Sequence, residues 1–135
     1  MMYLLDTNII SETIKASPNH SVLEWLSSID ISKFCLSVLT LGEIRKGIEI
    51  LVDDSKKQRI IQWLEIDLAE YFDGRIINID SRVADKWGCI SARANIPAID
   101  GLIASSALVH NLKLVTRNTK DFISVAGLEI INPWD

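Results

Sequence analysis

The chain has 135 residues, 48% of them hydrophobic and 24% charged, enough to bury one ordinary core but short for two, so residues 1–135 read as a single domain. Its net charge of −4 excludes a protein that holds nucleic acid by bulk positive charge, unless the acids are gathered at a metal site while Arg and Lys line the approaches. The longest run without Asp, Glu, Lys or Arg, Gly101 to Leu112, is too short to span a bilayer, and the Met1-Met2-Tyr3 start has no basic secretory region, so a cytoplasmic location is expected.

Tyr3-Leu4-Leu5 opens the chain as a short buried strand ending at Asp6. A helix follows, with Ile9, Ile10 and Ile14 on one face and Ser17-Pro18 as its stop. Residues 22–29 form a second amphipathic helix with Trp25 and Leu26 inward, and residues 34–38 a second strand. Leu41, Ile44, Ile48 and Leu51 recur at helical spacing within 40–51. A long helix is predicted over 55–72, a strand over 75–79, helices over 81–94 and 97–111, and strands over 112–116 and 128–131. Strands that alternate with helices and lack a polar face predict an α/β fold with a mainly parallel sheet covered on both sides. Sites in such sheets lie beyond the carboxyl ends of the strands, near a topological switch point.

Four acids fall at strand exits or in the first turns of helices. Asp6 follows the first strand and would equally serve as a helix N-cap. Glu43, in Thr40-Leu41-Gly42-Glu43, matches a capping box as well as a functional acid. Asp100 lies in the first turn of its helix, where the macrodipole favours a carboxylate, and Asp121 would equally be a turn residue. A parallel sheet would bring these segments to one edge. Carboxylates gathered there repel and raise one another's pKa unless a cation neutralises them, and oxygen-only ligands suit Mg²⁺ or Mn²⁺. Two such ions would balance four carboxylates, one activating water and the other steadying the leaving oxygen.

Leu4-Leu5-Asp6-Thr7-Asn8, Leu41-Gly42-Glu43-Ile44, Asp100-Gly101-Leu102-Ile103-Ala104 and residues 114–122, Leu-Val-Thr-Arg-Asn-Thr-Lys-Asp-Phe, resemble the successive motifs of PIN domains of the VapC toxin group. The ending Ile131-Asn132-Pro133-Trp134 is similar to the FitB-like branch. The resemblance implies a three-layer α/β/α sandwich, Mg²⁺- or Mn²⁺-dependent endonucleolytic cleavage of RNA, and a toxin–antitoxin pair whose antitoxin is a small DNA-binding protein. Carried over motif by motif, it makes Asp6, Glu43, Asp100 and Asp121 the metal-site and catalytic acids. Thr7 and Asn118 would hydrogen-bond these carboxylates or a water on the ion.

Arg45, Lys46, Arg93, Arg117 and Lys120 lie near the acidic motifs and are candidates for RNA phosphate contacts, with a plain solvated surface as the alternative. His20 and His110 lack ligand spacing. Trp25, Trp63 and Trp87 sit on apolar helix faces as core or interface residues; the faces around Trp25 and Trp63 lead to the expectation of a homodimer. Cys35 and Cys89 are read as buried reduced thiols. Two rival functions remain: a phosphoryl-transfer or phosphatase domain, opposed by the missing second acid of an Asp-x-Asp motif, and a non-catalytic interaction module of PIN fold.

Overall fold

A computed structural model describes residues 1–135. In chain order, β1 (Tyr3–Leu5), α1 (Thr7–Thr13), α2 (His20–Ser27) and a short 3₁₀ turn lead to β2 (Phe34–Ser37). The next elements are α3 (Val38–Glu49) and α4 (Asp54–Gln62); α4 runs through a π-helical stretch (Trp63–Leu68) into α5 (Ala69–Tyr71). The rest comprises β3 (Ile76–Ile77), α6 (Ser81–Ser91), α7 (Ala98–Val109), β4 (Lys113–Val115), α8 (Thr119–Phe122) and β5 (Ile130–Ile131).

The strands form one sheet in the order β3-β2-β1-β4-β5, and every neighbouring pair is parallel. Successive strand residues point to opposite faces, and each face has its own core. Leu4, Cys35, Ile77 and Leu114 pack with α6, α7 and α8 through Ile90, Ile103, Ala104, Ala107 and Phe122. Leu5, Phe34, Leu36 and Val115 pack on the other side with Ile9, Ile10, Ile44, Ile48, Leu64, Leu68 and Phe72. The three-layer α/β/α sandwich is therefore as expected, with a sheet that is wholly rather than mainly parallel. The chain winds outward from β1 to β2 and β3, then crosses back to β4 on the other side of β1. That reversal puts the switch point between β1 and β4, whose carboxyl ends are Leu5 and Val115.

Several local expectations are corrected. The first helix ends at Thr13, and Ile14 is 42% exposed instead of sharing the buried face of Ile9 and Ile10. α3 begins at Val38, because the Ser37 hydroxyl caps it by accepting the Leu39 N–H at 3.1 Å. Thr40 is therefore inside the helix and buried, and the capping-box reading of Glu43 falls away. Cys35 is buried, but Cys89 is exposed on α6. No helix is long and apolar enough to cross a membrane.

Candidate functional site

Asp6 leaves β1 at the switch point and is only 5% exposed. Its carboxylate caps α1 and is a fixed polar centre as well: Oδ1 accepts the Thr7 N–H at 2.8 Å, while Oδ2 accepts the Thr116 hydroxyl at 2.8 Å and the Asn8 amide at 3.3 Å. Thr116 leaves β4 just across the switch point and is fully buried. Its oxygen accepts the Asn8 amide and the Asn118 N–H, both at 3.1 Å. The Asn8 side-chain Oδ1 accepts the Arg117 backbone N–H at 3.2 Å. This network ties the ends of β1 and β4 together and fixes the orientation of Asp6.

Glu43 reaches the same place from α3. Its Oε1 accepts the Thr7 hydroxyl at 2.6 Å. Asp100 arrives from the first turn of α7, where Gly101 lets α6 and α7 approach closely: a Cβ at Gly101 would lie 3.1 Å from the Trp87 indole. Asp6, Glu43 and Asp100, with Thr7 and Asn118, line one cleft of about 350 Å³ that also takes in Asn8, Glu12, Lys15, Arg117 and Trp134.

The carboxylates sense one another. Burial pushes Asp100 up to about 6, helped by the negative charges of Asp6, Asp121 and Glu43. Burial also raises Asp6, against the hydrogen bonds from Thr116 and Thr7, and the charge of Glu43 adds to the rise. Asp121, exposed in α8, is not part of the cleft wall, although its charge reaches Asp100. No group of three Asp, Glu, His or Cys side chains stands close enough to hold a metal ion by itself. The donor set still suits a hard divalent cation: all of it is oxygen, its mutual repulsion would be relieved by positive charge, and Mg²⁺ characteristically keeps several waters and takes few carboxylates directly.

Of the five cationic candidates, only Arg117 lines this cleft. Arg45 is engaged by Glu65 at 2.6 Å, Lys46 and Lys120 are exposed outside the cleft wall, and Arg93 borders a separate hollow beside Cys89. His20 is exposed beside Glu24, His110 ends α7, and neither lines the cleft. Trp25 packs edge-on against Tyr3, while Trp63 borders an apolar hollow with Phe34 and Tyr71.

Asn8, Glu12, Lys15, Thr116 and Trp134 were not among the predicted site residues. Thr116 had a usable signal, since it leaves β4 as Asp6 leaves β1. Glu12 had none: it is a helix residue that becomes buried because the Lys15 ammonium and the Asn19 N–H bind its carboxylate at 2.9 and 2.8 Å. Those bonds hold it below the usual carboxylate range.

The PIN domain family model matches residues 3–128. Toxin FitB of Neisseria gonorrhoeae is 38% identical, the match covering 98% of this chain and 99% of that one. VapC ribonuclease Y4jK of Sinorhizobium fredii is 34% identical, with 99% of each chain covered. Among solved structures, FitAB bound to an IR36 DNA fragment superposes with a TM-score of 0.91 at 35% identity, over 99% of this chain and 96% of that one. The chain belongs to the PIN-domain family, in its VapC- and FitB-like branch.

Proposed function

We propose that the chain is a Mg²⁺- or Mn²⁺-dependent endoribonuclease and the toxin member of a toxin–antitoxin pair. The observation that carries this reading is the meeting of Asp6, Glu43 and Asp100 in one cleft at the β1/β4 switch point, close enough that Asp100 responds to the charge of the other acids. Asp6 is the fixed member, held by donors from Thr7, Asn8 and Thr116. Thr7 orients Glu43 through one carboxylate oxygen. Asp100 stands at the helix N-terminus, where burial and the charges of Asp6, Asp121 and Glu43 push it up to about 6. When bound, the ion supplies charge neutralisation and Lewis acidity toward a phosphodiester. Asp6, Glu43 and Asp100 would hold it, directly or through water, and Asp121 would add charge from the periphery.

The partners follow from the same reading. The substrate is RNA. The relatives named as a toxin and a VapC ribonuclease, and the likeness to FitAB on DNA, support a cognate antitoxin that is a small DNA-binding protein. The chain itself is expected to pair as a homodimer.

The test is cleavage of end-labelled single-stranded RNA by the purified chain, with Mg²⁺ or with EDTA, for wild type, Asp6→Asn, Glu43→Gln and Asp121→Asn. Metal-dependent cleavage lost in the first two variants and reduced in the third is expected. Hydrolysis of p-nitrophenyl phosphate with RNA left intact would instead select the phosphatase, and RNA binding without turnover in any metal would select the interaction module.

A further inference from the structure

The acidic cleft has one basic edge, and its parts are held in place from several directions. Arg117 is exposed, but its backbone N–H is fixed on Asn8 and its guanidinium lies over the Trp134 ring, 5.3 Å from the centroid. The indole is itself fixed. Its backbone N–H donates to Asn132 Oδ1 at 3.0 Å, Pro133 is buried, and the ring packs against the core face that contains Leu5 and Ile9. The indole thus both packs on the core and supports Arg117. Buried Glu12 draws Lys15 to the same edge and also attracts Arg117. Arg45, by contrast, is neutralised by Glu65 and Glu49.

A guanidinium lying on an aromatic ring has a free outer face and a rim of N–H donors. The face stacks a nucleobase and the rim pairs with a phosphate, the combination that single-stranded nucleic acid offers. We propose that Arg117, with Trp134 as its positioning residue, is the clamp that holds single-stranded RNA beside the acids, stacking one base and pairing with the adjoining phosphate. This deepens the ribonuclease reading and rests on it for the choice of RNA.

Binding, not cleavage, is the test. Anisotropy of a short labelled single-stranded RNA, and of an abasic ribose-phosphate strand of equal length, is measured in EDTA over a range of salt. Arg117→Ala should weaken RNA binding by about tenfold or more and lower the salt slope by about 0.7. Trp134→Leu should weaken it several-fold with the slope unchanged, and adding it to Arg117→Ala should change affinity by less than about twofold, because Trp134 acts through Arg117. If Trp134→Leu does not fold, Arg117→Lys carries the test. It keeps the charge but not the plane, so RNA binding should fall while the slope and the abasic affinity hold.

Unchanged RNA affinity in Arg117→Ala, no RNA binding by wild type, or fully additive Arg117 and Trp134 effects would each overturn the clamp. RNA that binds with this dependence yet stays intact on adding Mg²⁺ removes the ribonuclease and leaves the clamp. RNA that is cut and bound with no dependence on Arg117 does the reverse.

Discussion

Asp100→Asn separates a metal-site acid from a helix-capping acid by the sign of its effect on stability. The folded protein raises Asp100 from its ordinary 3.8 to about 6, so the folded state binds this proton more tightly than the unfolded chain does. Ionised Asp100 therefore costs stability. The cost is absent below about pH 4, grows between pH 4 and 6, and is fully present above 6. At about 1.4 kcal/mol per pH unit the rise would amount to about 3 kcal/mol for a fully buried group. Asp100 is only partly buried, and solvent screening reduces this to about 1–2 kcal/mol. Removing the charge also forfeits about 0.3–1 kcal/mol of helix-dipole stabilisation. The net expectation is a metal-free variant more stable by roughly 1 kcal/mol at pH 7.5, equivalent to a Tm gain of about 3–4 °C. That gain should shrink toward zero as pH falls to 4. Melting in EDTA from pH 4 to 8, repeated with Mg²⁺, checks it; Mg²⁺ should stabilise wild type more than the variant. A variant that melts earlier than wild type at pH 7.5 in EDTA, with an unchanged response to Mg²⁺, would rule out a metal-site role and leave Asp100 as a helix-dipole residue.

Thr116→Val removes the hydroxyl that serves Asp6, Asn8 and Asn118 while keeping the shape; a loss of about 1–3 kcal/mol in urea unfolding and at least about tenfold in cleavage is expected, with Thr116→Ser restoring both. Gly101→Ala places a Cβ 3.1 Å from the Trp87 indole, so it should destabilise by about 1 kcal/mol even though Ala favours a helix, and the same change in a Trp87→Leu chain should be neutral or stabilising. Thiol labelling of the native protein should modify Cys89 quickly and spare Cys35, whose thiol is buried and pushed up to about 12; two equally fast thiols would contradict that burial.

What could be read from the residues was whatever local order determines. Leu4-Leu5 followed by Asp6 is an apolar run that stops at a polar residue, and this marked both β1 and the site at its end. Alternation of strands with helices carried the parallel sandwich. Element ends were less legible: β3 has two residues where a run over 75–79 was predicted, because ladder pairing with Leu36 and Ser37, not β propensity, sets its length. The start of α3 at Val38 needed knowledge of which hydroxyl, Ser37 or Thr40, would find a free N–H. Ile14 and Cys89 look as apolar as their neighbours, and only tertiary packing leaves them outside. The acids were legible by position, and so was Thr7, which holds Asp6 and Glu43 from the same motif; the distant partners were harder to read. Thr116 lies 110 residues from the Asp6 it binds, and nothing local in Arg117 or Trp134 indicates that they stack.

The proposed function requires the acids at the switch point to act together on RNA through a divalent ion. The most direct measurement is the rate of cleavage of one labelled single-stranded RNA as Mg²⁺ is titrated into metal-free protein, for wild type and Asp6→Asn side by side. No cleavage without metal, a saturable rise for wild type, and a rate near zero for Asp6→Asn at every Mg²⁺ concentration are expected. Cleavage that proceeds in EDTA, or that Asp6→Asn supports at the wild-type rate, would contradict the proposed function.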